Sequence, residues 1–301
     1  MIDRLDGIAA FMAVAEAGGF AAAGTRLGRS RSAVAKTVAR LEARLGARLF
    51  HRTTRSLALT DDGQMFHERC ARGLAEIEVG AAALETGRHE PVGRLRVAVP
   101  LLFGRRCVAP VLFDLAKTYP RLDLELSFSD RTVDLVEEGF DIAVRNGGLP
   151  DVAGLRSRKV ASQRIVVCAA PAYLARRGTP ATLEDLAFHD TISYGRAGQV
   201  RRWSFPQADG TIRELPDHAR IRCDDLEAMA DAALAGMGVA WLPRWLVAEP
   251  VAQGRLVPLV TGQTPMTFHT HALWPQGPYL PLRVRVAIDA MVARLPAMMG
   301  E

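Results

Sequence analysis

Arg31, Lys36 and Arg40 stand along an Ala-rich segment just after the small polar run Gly28-Arg29-Ser30-Arg31-Ser32, and Arg52, Thr53 and Arg55 follow soon after. None of these groups is a nucleophile or a general acid at neutral pH. Their chemistry is non-covalent: guanidinium and ammonium groups neutralise phosphates, and a guanidinium can donate two hydrogen bonds to the edge of a guanine. The charge is also placed unevenly. Residues 1–60 hold ten Lys and Arg against four acids, a surplus of +6, whereas residues 61–301 hold 28 basic and 29 acidic residues, a sum of −1. A basic small unit joined to a near-neutral large one is what a chain needs when one module alone meets nucleic acid.

These side chains need a scaffold, and the local pattern supplies one. Ile8, Phe11, Met12 and Ala15 recur at helical spacing until Gly18-Gly19 stops the run. Phe20 to Leu27 makes a second, short helix, which Gly28 ends, and Ser30 is placed to cap a third. In the third helix Val34, Val38, Leu41 and Leu45 form one apolar stripe, with Arg31, Ser32, Lys36 and Arg40 off it. Ala21, Ala22 and Ala23 are expected to let the second and third helices cross closely. This is the pattern of a helix-turn-helix, whose second helix enters the major groove. Leu49 to Thr60 then reads as a β-hairpin wing with His51 to Ser56 at its basic tip.

At this point the chain resembles the LysR-type transcriptional regulators. The resemblance runs through Phe11-x-x-Val14-x-Glu16, Gly19-Phe20-x-x-Ala23-Gly24-x-x-Leu27 and Ser30-x-Ser32-Ala33-Val34. It continues through Leu41-Glu42-x-x-Leu45-Gly46-x-x-Leu49-Phe50-x-Arg52-Thr53-x-Arg55 and Leu59-Thr60-x-x-Gly63. The resemblance implies DNA reading by Arg31, Ser32, Ala35 and Lys36 at the start of the third helix, with Ser30 and Arg40 beside them and Arg52, Thr53 and Arg55 on the wing. Arg31 has two candidate roles, a bidentate guanine contact or a phosphate contact. Arg31 and Ala35 stand where many relatives carry Gln and Ser, so operator preference does not transfer from a relative.

Thr60 is placed to cap a long helix with Asp61 and Asp62 in its first turn, favourable against the helix dipole. Along it Cys70, Leu74, Ile77, Ala81 and Leu84 alternate by four and three, the spacing of a coiled-coil seam. Two readings follow: dimerisation, which the resemblance also implies, or packing against the chain's own regulatory domain. A homodimer or homotetramer would hold two recognition helices at a fixed separation.

From residue 91 strand-like and helical stretches alternate, as in an α/β unit with a mainly parallel sheet. Strands are expected at Arg94 to Pro100, Leu122 to Phe128 and Asp141 to Arg145, with a helix from Val108 to Tyr119 and a helical turn from Asp134 to Gly139. A second unit opens near Arg164 to Cys168 and includes a Leu226–Leu234 helix. A strand from His269 to Trp274 and a helix from Leu282 to Leu295 return to the first unit. The expected organisation is a winged helix-turn-helix over 1–60, a linking helix over 61–88 and a two-lobe, periplasmic-binding-protein-like α/β domain over 91–301. Lobe I takes residues 91–162 and 268–301, and lobe II takes 163–267.

The stretches Leu124 to Arg145 and Cys168 to Leu174 also look like LysR-type effector domains, in which a cleft binds a small molecule. The resemblance implies Pro100, Leu101 and Leu102, Ser129, Arg145 and Asn146, and Tyr194, Gly195 and Arg196 as effector residues. Relatives that bind carboxylates often carry Ser or Thr where Leu101 and Leu102 stand here. The expected effector is therefore more apolar than a simple carboxylate, or is anchored mainly by Arg145. Arg145 has a second reading, as the ion-pair partner of Asp130 or Asp141.

Other functions find less support, a two-lobe ligand-binding enzyme being the more distant alternative. There is no Gly-x-Ser-x-Gly elbow, His-Glu-x-x-His helix or phosphate-binding Gly-rich loop, and Gly236-Met237-Gly238 follows a helix rather than a first strand. His269 and His271 lie two apart on a strand with no carboxylate or cysteine beside them, so neither a metal nor a cofactor is expected. Cys107, Cys168 and Cys223 leave a redox-sensing regulator as the alternative, set against buried structural thiols. The chain shows neither an apolar run long enough to span a bilayer nor a secretory leader, and the expected location is the cytoplasm. RNA polymerase is a further expected partner of such a regulator.

Overall fold

The computed structural model describes residues 2–52, 57–86, 90–148, 154–196, 199–207, 209–216, 219–277 and 279–300; the side chains of 2–5, 52, 75, 76, 78–86 and 196 lie outside that description. The chain divides into two compact units, Met1–His89 and Glu90–Glu301.

The first unit holds α1 (Ile2–Ala17), α2 (Phe20–Leu27), α3 (Arg31–Leu45), the hairpin of β1 (Phe50–Arg52) and β2 (Leu57–Leu59), and α4 (Asp61–Thr86). Gly28 stands at φ 64°, a left-handed conformation that lets its N–H close the end of α2 onto Gly24 and Thr25 carbonyls. Ser30 then caps α3, its Oγ accepting the Ala33 N–H at 3.2 Å. Phe11, Ala23, Val34 and Val38 are fully buried in one core, closed by the rings of Phe50 and Phe66, each 5.3 Å from Phe11. Ala21 and Ala22 are exposed, so Ala23 alone of the three alanines serves the helix crossing.

Two polar devices fasten the wing. Glu42 on α3 accepts the N–H groups of Leu49 and Phe50 at 2.8 and 3.3 Å. Thr60 Oγ1 donates to the Arg48 carbonyl at 2.6 Å and accepts the Gly63 N–H at 2.9 Å, so one hydroxyl caps α4 and ties it to the strand. The same closeness dictates a glycine: a Cβ on Gly63 would sit 2.0 Å from the Leu49 carbonyl oxygen. Because α4 begins against this core, Cys70 is buried in it and Leu74 packs on its edge. The first two positions of the expected seam therefore serve their own domain. Ile77 is 59% exposed, and the side chains of Ala81 and Leu84 lie outside the described residues.

The second unit runs through β3 (Gly93–Val99), α5 (Leu101–Phe103), a π-helical turn (Gly104–Val108), α6 (Ala109–Thr118), β4 (Leu122–Phe128), β5 (Ile142–Asn146) and β6 (Leu155–Ala169). It continues with α7 (Pro171–Arg177), β7 (Thr191–Arg196), β8 (Gln199–Val200), β9 (Ser204–Pro206), β10 (Ile212–Glu214), β11 (Ala219–Cys223), α8 (Leu226–Leu234) and β12 (Val239–Pro243). Last come α9 (Arg244–Ala252), β13 (Val257–Leu259), β14 (Thr267–Pro275) and α10 (Leu282–Met299). The strands order as β11-β7-β12-β6-β14-β5-β3-β4.

Each lobe has a parallel core, β3 with β4 and β5 and β7 with β11 and β12, flanked by antiparallel pairs, β14 with β5 and β6 with β12 and β13. The expectation of a mainly parallel sheet fails in the middle, where β6 and β14 run antiparallel from Arg164 opposite Thr267 to Leu155 opposite Pro275. The chain must cross from lobe to lobe and return, and two long strands lying side by side do so while pairing with each other, apart from a bulge at Val160. Lobe I centres on Leu95, Val97, Ile142 and Val144 under α6 and α10, and lobe II on Val167, Val239, Ile192 and Leu242. The expected helix from Val108 begins earlier, as one helical run over 101–118 through the π turn, and Asp134 to Gly139 makes the expected turn, its Glu138 N–H meeting the Asp134 carbonyl at 2.9 Å.

Candidate functional site

The third helix presents the first site. Its inner face is Val34, Thr37, Val38 and Leu41, all buried. Arg31, Ser32, Lys36 and Arg40 are exposed and Ala35 is half-buried, so five expected DNA residues share the outward side of one capped helix. Ser30 and Ser32 hydroxyls lie 3.1 Å apart at its N-terminus. Arg26 and Arg29 are engaged by Glu16 and Asp6 at 2.6 and 2.8 Å. Among the described residues neither Arg31 nor Lys36 has an ion-pair partner, which leaves both cations for an external anion. The side chain of Arg52, with Thr53 and Arg55, lies outside the described residues. Glu42, part of the family motif but given no role from sequence, places the wing beside this helix.

The second site is a cavity of about 200 Å³ between the two lobes. Of the expected effector residues, Pro100, Leu102, Arg145, Asn146 and Tyr194 line it. Leu101, Ser129 and Gly195 do not: Leu101 points to solvent at 44% exposure, and Ser129 Oγ accepts the Arg131 N–H at 3.2 Å. The side chain of Arg196 lies outside the described residues.

The cavity floor is a hydrogen-bonded hub that sequence reasoning missed. Gln163 on β6, 4% exposed, donates to Asn146 at 2.8 Å and to Thr270 at 2.7 Å and accepts from the Trp245 indole at 2.8 Å. Thr270 Oγ1 donates to Asn146 at 2.9 Å, so strands of lobe I, the crossing pair and α9 of lobe II converge on one amide. The walls are aromatic. Trp203 stacks on Trp241 at 6.3 Å, Phe268 meets Trp241 edge-on at 5.8 Å, and Phe103 meets Trp245 edge-on at 5.8 Å. Arg201 lays its guanidinium over Phe268 at 4.9 Å and over Tyr194 at 5.8 Å.

Arg145 is held by neither proposed acid. Its Nη1 donates to the Arg131 carbonyl at 2.8 Å, its buried Nη2 has no hydrogen-bond partner among the described residues, and Asp141 is taken instead by Arg283 at 3.2 Å. Burial, with Arg131 nearby, pulls the pKa of Arg145 below the ordinary arginine value. Asp130 accepts the Leu101 N–H at 3.0 Å, and Asp225 caps α8 through the Ala228 N–H at 2.7 Å. At the rim the π turn of lobe I sends Arg105 and Arg106 onto Glu227 of lobe II, and the Arg106 hydrogen bond leads the drop in the Glu227 pKa.

The thiols are poorly suited to redox sensing. Cys107 and Cys168 are buried and their pKa values are pushed up to about 12 by burial, and burial, with Asp225 and Asp224, also raises that of Cys223. His269 and His271 lie with ring centroids 6.4 Å apart, opposite a bulge at Val160 of β6, and His269 Nδ1 meets Ser162 Oγ at 3.1 Å. No group of three metal-ligating side chains occurs among the described residues. Among the described residues, no helix is long and apolar enough to cross a membrane.

Comparison with known proteins finds a family model over each of the two units. Residues 5–64 match the family model of the bacterial regulatory helix-turn-helix proteins of the lysR family, and residues 88–296 match that of the LysR substrate binding domain. The chain is 34% identical to the HTH-type transcriptional regulator CrgA of Neisseria meningitidis over 288 residues, covering 95% of each. It is 34% identical to the HTH-type transcriptional regulator PtxR of Pseudomonas aeruginosa over 290 residues, covering 96% of this chain and 92% of that one. The solved structure of CrgA superposes with a TM-score of 0.60 at 31% identity, covering 98% of this chain and 99% of that chain. The chain belongs to the LysR family and is a DNA-binding transcriptional regulator with an effector-binding domain of two α/β lobes.

Proposed function

We propose that this regulator reads a two-fold DNA site as a homodimer or homotetramer, with Arg31 on a base edge, Ser30, Ser32 and Ala35 against the groove, and Lys36 and Arg40 on phosphates. Arg52, Thr53 and Arg55 extend the contact from the wing. The observation that carries this reading is the outward, capped start of α3 with Arg31 and Lys36 unpaired among the described residues. Ile77, Ala81 and Leu84 of α4 supply the dimer seam. The cleft binds a small, largely apolar effector among the tryptophans, anchored at Arg145, and does not turn it over. The protein works in the cytoplasm without a cofactor, and RNA polymerase is the partner it meets at a promoter. A ligand shifts the regulator only as far as it binds one lobe arrangement better than the other.

The test is fluorescence anisotropy on the DNA upstream of the regulator's own gene, against scrambled DNA, across a salt series. The expected result is a preference of about a thousandfold or more, lost with Arg31→Ala. With Lys36→Ala binding weakens on all DNA and the salt slope drops by about one. Absence of binding to either DNA at low salt would overturn the reading.

A further inference from the structure

A helix N-terminus facing a cavity attracts anions, because its first N–H groups lack partners within the helix. Two helices begin at the walls of this cavity, the run over 101–118 in lobe I and α8 in lobe II. In each, a carboxylate of the chain takes one of those N–H groups. Asp130, itself a cavity-lining residue, brings Oδ1 to 3.0 Å from the Leu101 N–H, across 29 residues of sequence. Asp225, also lining the cavity, holds the Ala228 N–H at 2.7 Å. The second is an ordinary cap from the residue next to its helix. The first is not: its carboxylate arrives from the end of a neighbouring strand and takes the position that an incoming carboxylate would take.

We infer that Asp130 is a specificity-determining residue, a built-in anion that bars ligands carrying a carboxylate toward the start of α5. The inference rests on the reading of this cavity as the effector site. Its consequence is a ligand class: aromatic compounds uncharged at the end that meets lobe I's helix, held by the faces of Trp203, Trp241 and Phe268. A ligand carboxylate at that end would have to displace Asp130 from Leu101 and then lie beside it, two like charges at close range. With Asp130 removed, the same N–H becomes the donor for such a group.

Benzyl alcohol and benzoate, which share a ring and differ in charge, serve as probes, and quenching of the cleft tryptophans in the full-length protein serves as the readout. The quantity read is the affinity for benzoate relative to benzyl alcohol. D130A, which frees the N–H, is expected to raise that ratio about tenfold, the scale of one hydrogen bond to a charged group. D130N, which removes the charge and keeps an acceptor for the N–H, is expected to raise it less. D224A removes a cavity-lining charge of the facing lobe that is not on this N–H, and is expected to leave the ratio within about twofold, the scale of a screened surface charge. A ratio unchanged in D130A overturns the inference, as does an equal gain in D224A, which would make the effect bulk electrostatics. Failure of both probes to quench either the wild type or D130A would instead take down the reading of the cavity as an aromatic effector site, and the inference with it.

Discussion

At the start of α3 the cations point outward with no acid against them among the described residues, while in the cleft four charges are engaged by other parts of the same chain, with one nitrogen of Arg145 left over among the described residues. Asp130 sits on the Leu101 N–H, Asp225 on Ala228, Arg145 on the Arg131 carbonyl and Arg201 on two aromatic rings. The difference follows from what each surface meets. A polyanion offers many equivalent phosphates, and leaving cations unpaired gains affinity without demanding exact placement. A small molecule offers one or two polar groups, so a cleft discriminates by having few vacancies, each of defined chemistry.

The contrast can be broken one unit at a time. The largest expected effect is that of Gly63→Ala, whose Cβ would meet the Leu49 carbonyl oxygen at 2.0 Å, where backbone must move. The expected loss is about 3 kcal/mol, confined to the first unit. Chemical denaturation should show its transition shifted, with that of the second unit in place. A shift of both transitions would mean that the units do not unfold separately.

Gln163→Ala should act on the other side, removing the amide on which Asn146, Thr270 and Trp245 converge. A cost of about 2 kcal/mol in the second unit follows from the buried polar groups left unmatched. Trp245 fluorescence should change while DNA affinity without effector stays within about twofold, the range of a distant substitution. Unaltered denaturation of the second unit would show that the hub adds nothing to stability.

The smallest effect concerns pH. Cys107 and Cys168 have folded pKa values of about 12, above those of thiols in the unfolded chain, because burial disfavours the thiolate. Their contribution is fully present below the unfolded pKa and is lost as pH rises from there toward about 12, as only the unfolded chain ionises early. Thermal midpoints of the second unit should fall from pH 8 to pH 10.5, less steeply in Cys168→Ala. A midpoint equally steep in that variant would rule out Cys168 as a source of the fall.

Local grammar made the first unit, and one helix of the second, readable. Ser30 and Thr60 cap the helices that follow them, Gly28 ends the one before, and the helix Leu226–Leu234 has the bounds its spacing predicts, because each signal and its consequence lie within a few residues. Arg145 and Tyr194 were legible as cavity residues through the family pattern. Gln163, Trp203, Trp241 and Trp245 were not, since their meeting depends on strand order and on contacts 82 residues apart in the case of Gln163 and Trp245. The buried half of α4's seam was misread for a related reason: a four-three spacing fits a partner helix and a domain core equally well, and Cys70 and Leu74 found the core first.

The antiparallel pair of β6 and β14 carries a mechanical consequence. Two extended ribbons hydrogen-bonded edge to edge resist stretching along their length and sliding past one another, since sliding by one residue would turn every side chain to the wrong face. What such a two-ply strap permits is bending and twist. The lobes it joins are therefore coupled like panels on a leaf spring, and whatever the cleft captures can be reported only as a change of angle.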